Sequence, residues 1–480
     1  MAEIRYKKEE WKKKMKIKLD VNNMFTEQVG AEHGIKKEDI DKLQDDLLKA
    51  HKAIKRARKA GELGFMELPE TQKEVAKDIK ELVATKKDDF DNFVVLGIGG
   101  SALGAIALQT ALNHPYYNLN DDARGDGLRL FVPDNVDPAR LEGLLETLDL
   151  ERTLFNVISK SGGTAETMSQ FLIARNLVAE ELGEDKVAKH FIATTSQDTG
   201  NLIKIAKKEG MDTFYIPDNV GGRFSVLTPV GLVPAAFCGI DIEELLAGAE
   251  YMDQICDNED LWQNPAYLNA TLQYLADKDG KSMSVMMPYV HALKDIADWY
   301  RQLWAESLGK EEDRSGKVVN VGPTPIKALG ATDQHSQVQL YMEGPYDKVI
   351  TFLTVDNYQA EIKIPEEYRN IKGVSYLGGH TLNQLIKTEQ SATELALTKN
   401  GRLNCTINLP EVNEFTMGQL LYMFELQTAF AGELYNINAF NQPGVELGKN
   451  YTYGILGREG YENMKEEYES KPAKNNNLII

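Results

Sequence analysis

Cysteine is scarce in this sequence, with three residues in a chain of 480. Cys238, Cys256 and Cys405 lie too far apart to form a metal knuckle, and three cysteines make no even disulfide framework. Such cysteine usage is typical of a reducing compartment, so we expect a cytoplasmic protein. No pattern of metal-ligand spacing is present either, and we expect no bound metal.

Long apolar runs and an excess of positive charge are also missing. No stretch approaches the length of a membrane span, and the N-terminal MAEIRYKKEEWKKKMKIKL lacks the apolar core of a signal peptide. The chain carries 54 Lys and Arg against 73 Asp and Glu, a net charge of -19. We therefore expect neither a membrane protein nor a general nucleic-acid binder, which would need a basic surface. The lysines between positions 7 and 18 are expected to form a solvated surface segment.

Apolar strands that alternate with helical patterns run through most of the chain. The first set of strands is predicted at 91–97, 128–133, 154–158, 190–195 and 214–217. The second set is predicted at 282–288, 317–321, 348–355 and 403–409. Strands separated by helices form parallel sheets covered by helices on both faces. The sequence therefore predicts an α/β protein with two tandem α/β/α sandwiches and mainly parallel sheets.

The pattern divides the chain into five segments. These are a helical N-terminal segment at 1–85, a first sandwich at 86–241, a helical linker at 242–278, a second sandwich at 279–440 and a C-terminal segment at 441–480. The last residues of the chain, 473–480, are expected to form a loose tail.

The stretch VISKSGGTAETMSQF, which starts at Val157, joins a buried strand to a helix through a bend of small polar residues. The first amides of a helix are unpaired, its dipole favours negative charge, and hydroxyl groups add further donors. Two glycines let the backbone approach a ligand closely. The bend therefore has the features of a phosphate site, but an ordinary turn with Thr164 as the N-cap has the same pattern, and most such turns bind nothing. The helix is expected to bury one side, with Met168, Phe171, Leu172, Val178 and Leu182.

The stretch GIGGSALG, which starts at Gly97, admits other interpretations. Gly97, Gly99 and Ala102 fit a dinucleotide fingerprint, but Asp134 follows much later than the about 20 residues that are usual for its acidic partner. A second hydroxyl-rich turn in the same region suits one sugar phosphate better than a dinucleotide. A nucleophile elbow would need glycine where Leu103 stands. The sequence also lacks a Walker A pattern, which argues against a nucleotide-driven phosphotransferase.

A helical pattern around residue 300 provides the best candidate for chemistry. Its apolar positions follow the spacing of a buried helix face, with Ile296, Trp299, Tyr300, Leu303 and Trp304. At about 100° per residue, Glu306 projects close to Trp299, at the edge of that face. Gly309 is expected to end the helix. A carboxylate at the negative end of a helix and beside an indole is destabilised as an anion, which suits a general base. The alternative is a solvated glutamate on the last turn.

Three more candidates lie in loops or after a turn. Arg223 follows two glycines and precedes a predicted helix start, where Thr228 is the N-cap and Pro229 the first helical residue. His335 lies in the polar loop GATDQHSQ, and Lys449 follows a Pro-Gly turn. Considered alone, each of these three residues would be interpreted as an ordinary surface residue.

Three motifs in these segments, taken together, indicate a known family. They are VGGRFS from Val220, ES-x-GK from Glu306 and NQPGVELGK from Asn441. With the GIGGS loop, they resemble the glucose-6-phosphate isomerase (phosphoglucose isomerase) family, of the two-domain sugar-isomerase (SIS) fold type. The last motif completes the long signature of that family without a break.

The resemblance implies reversible isomerisation of glucose 6-phosphate and fructose 6-phosphate through an enediolate, in glycolysis and gluconeogenesis. It implies that Glu306 moves the proton between C2 and C1, that Arg223 stabilises the enediolate, and that His335 and Lys449 assist ring opening. The substrate-binding residues it implies are Gly100, Ser101, Ser159, Lys160, Ser161, Thr164, Thr167, Gln302 and Gln442. It also implies a homodimer in which this histidine enters the partner's active site, and no cofactor.

Two other functions use parts of the same pattern. A sugar-phosphate sensor on the same fold would keep the loop at Ser159 but would not need Glu306. A dinucleotide-dependent dehydrogenase would need the loop at Gly97 but not the one at Ser159. Aldose–ketose isomerisation needs a base, a cation near the developing oxyanion and exclusion of water. The joint presence of Glu306, Arg223, His335 and Lys449 favours the isomerase.

Overall fold

The computed structural model describes residues 9–480 and shows two five-stranded sheets and one two-stranded sheet. The strands in chain order are β1 (Lys18–Asp20), β2 (Asn92–Leu96), β3 (Arg129–Phe131), β4 (Thr153–Ile158), β5 (Phe191–Thr195), β6 (Asp212–Tyr215), β7 (Met283–Pro288), β8 (Lys310–Glu312), β9 (Val318–Val321), β10 (Thr324–Lys327), β11 (Lys348–Asn357) and β12 (Asn404–Glu411). The first sheet has the order β3-β2-β4-β5-β6 and is parallel throughout. The second has the order β1-β12-β11-β7-β10, and only β1 is antiparallel. The predicted α/β class with mainly parallel sheets is confirmed.

Helices fill the connections between these strands. The longer ones with described bounds are α1 (Gln44–Lys59), α2 (Leu68–Lys86), α3 (Leu103–Leu112), α4 (Pro138–Thr147), α5 (Ala165–Leu182), α6 (Asn201–Glu209), α7 (Pro229–Phe237), α8 (Ile242–Cys256), α9 (Pro265–Lys278), α10 (Lys294–Leu308), α11 (Leu382–Lys399), α12 (Glu414–Leu434), α13 (Glu446–Ile455) and α14 (Glu462–Glu469). Short helices span Thr26–Val29, Lys37–Asp41, Asp121–Arg124, Val187–His190, Val338–Glu343 and Lys372–Ser375.

Helix α12 lies at the centre of the molecule and is buried on all sides. Asn413 and Thr416 form a capping box at its start, in which each side chain bonds the backbone of the other. The helix packs against α1, α8, α9 and α10. One continuous apolar core joins this helix to Phe93 of the first sheet and to Met286 and Ile407 of the second. Helix α10, which carries Glu306, therefore packs against a deeply buried helix.

Several predicted elements are found where the sequence placed them. Eight of the nine predicted strands join a main sheet, with ends within two residues of those predicted. Residues 242–278 form α8 and α9, and how the five predicted segments divide into domains stays a prediction. Thr228 caps α7 with its side chain, Pro229 is the first helical residue, and Gly309 ends α10. Residues 473–480 are exposed.

One prediction about the second sheet is wrong, and the N-terminal segment contains a short strand that the sequence did not predict. Residues 318–321 form a strand, but β9 pairs with β8 in a separate hairpin and not in the main sheet. The edge of that sheet is β10, which contains Pro325 and pairs with β7. Proline argues against a strand in a sequence but is tolerated at a sheet edge. The N-terminal segment is mostly helical as predicted, but β1 pairs antiparallel with β12 at the other edge.

Leu172 was predicted on the buried side of α5, and this is also wrong. Phe171 and Val178 are buried, whereas Leu172 is 59% exposed. Leu172 points about 100° away from Phe171 around the helix, and on α5 this direction faces solvent.

Three further expectations concern the surface and the cysteines. Lys13, Lys14 and Lys16 are exposed, as expected for a solvated segment, and the same prediction for Lys7 and Lys8 lies outside the described residues. The three cysteines are buried and unpaired, and burial raises the pKa of each thiol to about 12. Over residues 9–480, no helix combines the length and the apolar character needed to cross a bilayer.

Glu425 in α12 provides a test of this core. It is fully buried, neither carboxyl oxygen has a hydrogen-bond partner among the described residues, and burial raises the pKa of the carboxyl well above its ordinary value. The unfolded chain ionises at lower pH than the folded one, so this group lowers stability as the pH rises above the ordinary glutamate range. Glu425→Gln removes that loss. Relative to the wild type, the free energy of unfolding of the variant should increase between pH 5 and pH 8, by up to about 1.4 kcal/mol per pH unit. Thermal melts of both proteins at pH 5 and at pH 8 measure this as a growing difference in melting temperature.

Exposed Glu466 is the matched control, and Glu466→Gln should track the wild type at both pH values. A Glu425→Gln difference that does not change with pH would show that the buried carboxyl is not protonated.

Candidate active site

Three loops meet at the carboxyl edge of the first sheet. One follows β2 at 97–101, one follows β4 at 159–164, and one follows β6 at 218–225. The first and third touch: a Cβ added to Gly100 would lie 2.4 Å from the carbonyl carbon of Gly222, so only glycine permits this approach. Helix α10 packs against both of these loops. This edge is where parallel α/β sheets bind their ligands.

The loop at 159–164, which we call the phosphate loop, is folded by its own hydroxyl groups. The Gly162 amide donates to Ser159 Oγ at 3.0 Å, and the Gly163 amide donates to Ser161 Oγ at 3.2 Å. Gly162 has a φ of +62°, and a Cβ there would lie 2.1 Å from the Leu202 nitrogen. The loop is therefore tightly held although it contains two adjacent glycines.

Thr164 occupies the N-cap position of α5 but does not cap it. Its side chain makes no capping hydrogen bond, and its Oγ1 lies 3.2 Å from Ser159 Oγ. On the first turn of α5, the Thr167 hydroxyl is buried and has no hydrogen-bond partner among the described residues. Hydroxyl groups of residues 159, 164 and 167 therefore gather at the start of this helix, where the amides and the dipole favour an anion.

Lys160 connects the phosphate loop to the loop that carries Arg223. Its ammonium donates to the carbonyls of Asp218 at 2.7 Å and Val220 at 3.1 Å. Burial lowers the pKa of this lysine, and nearby Asp218 partly offsets that. Because the ammonium is already bonded to two carbonyls, its side chain fixes one loop against the other, and contact with a substrate stays a prediction.

Arg223 and Glu306 form the centre of the site. Arg223 is 3% exposed, so the interpretation as a surface arginine is wrong. Its Nη1 donates to Glu306 Oε2 at 3.3 Å and to Gln442 Oε1 at 2.7 Å, and its Nε donates to Ser307 Oγ at 2.7 Å. Its Nη2 donates to the carbonyls of residues 439 and 441. The guanidinium thus joins the third loop, the end of α10 and the segment before α13.

The electrostatics of this pair follow from burial. Burial lowers the pKa of Arg223 from its ordinary value, while Glu306 opposes that effect. The Glu306 side chain keeps 33% of its surface exposed, so a molecule in the site can reach the carboxylate. Its Oε1 accepts from Gln302 Nε2 at 3.2 Å, and the Gln302 carbonyl oxygen is buried with no hydrogen-bond partner in the described chain. A reachable carboxylate beside a buried cation suits proton transfer with charge stabilisation.

The apolar face predicted for α10 is confirmed. All five of its apolar positions are buried, namely Ile296, Trp299, Tyr300, Leu303 and Trp304. Tyr300 stacks on Trp304 and contacts Phe424 of α12. These large rings fix the helix, and with it the direction in which Gln302 and Glu306 project.

The remaining predicted residues lie at different distances from this centre. Gly100 and Ser101 belong to the loop against which α10 packs. Lys449 lies on α13, half exposed, with its ammonium 2.9 Å from Glu446 Oε1. His335 ends an exposed 3-10 turn, and its side chain makes no hydrogen bond or ion pair within residues 9–480. The chain therefore brings Arg223, Glu306 and the glutamines together, but not His335.

Two residues of the site were missed by sequence reasoning. Tyr453 donates to the carbonyl of Gly163 at 3.0 Å, so α13 rests on the phosphate loop. Lys449 precedes Tyr453 by four residues, which places both on the same face of the helix. Lys310 donates to the carbonyls of Glu306 and Ser307. The GK of the motif at 306 was the signal for Lys310, but Tyr453 has no motif of its own.

Within residues 9–480 no group of three or more His, Cys, Asp or Glu side chains could hold a metal ion. That the reaction needs neither a metal nor a cofactor stays a prediction.

This chain is similar to known proteins of one family. The family model described as "Phosphoglucose isomerase" matches residues 71–478. The glucose-6-phosphate isomerase of Carboxydothermus hydrogenoformans is 49% identical over 454 residues, which cover 94% of this chain and 97% of that protein. The glucose-6-phosphate isomerase of Rubrobacter xylanophilus is 46% identical over 399 residues, 83% of this chain and 90% of that protein.

Two solved structures share the fold. A hypothetical protein from Thermus thermophilus is 37% identical with a TM-score of 0.82, and the match covers 92% of this chain and all of that one (100%). A glucose-6-phosphate isomerase from Chlamydia trachomatis has a TM-score of 0.78 at 22% identity over 94% of this chain and 96% of that one, a likeness of fold. The matched family model and the close relatives confirm the resemblance seen in the motifs: the chain belongs to the phosphoglucose isomerase family.

Proposed function

We propose that this chain interconverts glucose 6-phosphate and fructose 6-phosphate through an enediolate, with Glu306 as the base that moves the proton between C2 and C1. The observation that carries the proposal is the Arg223–Glu306 pair at the carboxyl edge of the sheet. The relatives named glucose-6-phosphate isomerase support the same substrates. The reaction belongs to glycolysis and gluconeogenesis and needs no cofactor, and a cytoplasmic location agrees with the three unpaired cysteines.

The sugar phosphate is anchored by the end of the molecule that does not react. Ser159, Ser161, Thr164 and Thr167 provide hydroxyl groups at the start of α5, together with the first amides of the helix. Binding energy from the phosphate then positions C1 and C2 against Glu306. Gly100, Ser101, Gln302 and Gln442 line the sugar between these two ends.

Arg223 stabilises the negative charge that develops when the proton leaves C2. Its contacts with Ser307 and with backbone carbonyls keep the guanidinium in one place throughout the reaction. A fixed, buried cation acts on an oxyanion more strongly than one in water, and it needs no reorganisation during the step. A sugar-phosphate sensor would gain nothing from this pair, which favours the enzyme.

Ring opening requires groups that move protons between the ring oxygen and the hydroxyl at C1. Lys449 stands on the same face of α13 as Tyr453, which contacts the phosphate loop, so the lysine faces the bound sugar. His335 is exposed and free of hydrogen bonds to other side chains of the described chain, which fits a residue that completes the site of a second subunit. We therefore propose a homodimer in which each His335 serves the partner's site.

The phosphate loop is tested by Ser159→Ala and Thr164→Ala. Each removes a hydrogen bond to a charged group, worth about 1.5–3 kcal/mol, and should raise KM for fructose 6-phosphate roughly ten- to hundredfold. Ser169→Ala, at an exposed position on the same helix, is the control and should leave KM unchanged. Steady-state kinetics with a coupled assay measure all three, and wild-type KM values for both loop variants would remove this loop from the site.

The base is tested by Glu306→Gln, which keeps the shape and removes the basic lone pair. We expect kcat to fall by roughly a hundredfold or more with KM nearly unchanged, because proton abstraction is needed only in the transition state. Glu312→Gln in the neighbouring hairpin is the control and should behave as the wild type. The same assay in the presence of EDTA measures whether the wild type depends on a metal ion. A parallel assay with mannose 6-phosphate measures whether it accepts a second substrate. Turnover at the wild-type rate by Glu306→Gln would place the base elsewhere.

Sharing of His335 between subunits is tested by mixing Glu306→Gln with His335→Ala subunits. In a mixed dimer, one site carries both changes and the other carries neither, so subunit exchange should restore about a quarter of wild-type activity at random pairing. If His335 served its own subunit, every site in the mixed dimer would carry one change. In that case no activity would return, although size-exclusion chromatography would still show the mixed dimer.

A further inference from the structure

Lys310 lies directly behind the proposed base. It is the first residue of β8, only 8% exposed, and its ammonium donates to the carbonyls of Glu306 at 2.6 Å and Ser307 at 2.9 Å. Both carbonyls belong to the last turn of α10, where the helix itself supplies no donor. Lys310 therefore caps the end of the helix that carries the base.

The charges around Lys310 are unbalanced. Two groups act on its ammonium, the Arg223 guanidinium and the Glu306 carboxylate. Two buried cations thus face one carboxylate, and the site carries an excess of positive charge. Burial first, and Arg223 second, lower the pKa of Lys310 to about 8. Burial of this charge costs free energy, which the bonds to the carbonyls of Glu306 and Ser307 offset.

We propose that Lys310 is a positioning residue for the isomerisation, which fixes the last turn of α10 and offsets the negative end of that helix beside Glu306. The inference rests on the proposed role of Glu306. The cap holds the backbone of Glu306 and Ser307, and Ser307 in turn holds Arg223 through the guanidinium Nε. The ammonium also places a positive charge at the negative end of α10, next to the proposed base.

Three substitutions separate the cap from the charge. Lys310→Met removes both, Lys310→Gln keeps N–H donors without the charge, and Lys310→Arg keeps donors and a charge that persists at all working pH values. In Lys310→Met and Lys310→Gln, the acid limb of the kcat profile should move to higher pH by roughly half a pH unit or more. In Lys310→Arg it should stay in place. Loss of kcat should be largest in Lys310→Met, with KM within about twofold of the wild type because the phosphate loop is untouched.

Lys281 provides the matched control. It is also a buried lysine, 6% exposed, whose ammonium bonds the carbonyl and the carboxylate of Asp279 and no group of α10. Lys281→Met should lower the melting temperature and leave the acid limb in place. If Lys310→Met does not fold, the acid limb of Lys310→Gln is compared with that of the wild type instead.

An acid limb that stays in place in both neutral Lys310 variants, with kcat unchanged, would overturn the inference. So would the same displacement in Lys281→Met, since the effect would then reflect general destabilisation. The Glu306→Gln variant distinguishes failure of the role of Lys310 from failure of the proposed base. If it is inactive while the Lys310 variants match the wild type, only the role of Lys310 fails; if it retains the wild-type rate, the proposed base and this inference fail together.

Discussion

The site depends on the burial of one guanidinium. Arg223 is removed from water, and its donors go to Glu306, Gln442, Ser307 and the backbone of residues 439 and 441. Loss of these contacts would strongly destabilise the folded protein, because nothing would then replace the water that the buried cation has lost. The loop after β6, the end of α10 and the segment before α13 must therefore keep their mutual positions for the chain to fold. The position of Glu306 relative to Arg223 is a consequence of this requirement.

The distribution of charge also explains how an acidic protein accepts an anionic substrate. The net charge is -19, yet Arg223, Lys310 and the start of α5 give the site the opposite sign. At physiological ionic strength, charges more than about 8 Å apart are largely screened, so the local groups dominate once the sugar phosphate is near. Burial reduces this screening inside the site, and the same burial lowers the pKa of Arg223 and of Lys310.

Features with a local cause were predictable from the sequence. The apolar strands, the buried face of α10 and the cap at Thr228 all follow from periodicity or from neighbouring residues. Features that depend on distant partners were not: β1 exists because β12 offers a free edge, and β10 tolerates Pro325 because it lies at the other edge. The same distinction holds in the site, where motifs identified Arg223 and Glu306. Tyr453 was missed because its hydrogen bond to Gly163 joins residues far apart in the chain.

The central claim is that Glu306 takes the proton from C2 and returns it to C1. Isomerisation in deuterated water, followed by NMR of the sugar carbons, tests this most directly, because a carboxylate that holds the proton exchanges it with solvent. The account predicts deuterium at C1 of fructose 6-phosphate with the wild type, and no incorporation above background with Glu306→Gln under conditions where the substrate is bound. Incorporation by Glu306→Gln at the wild-type rate would contradict it.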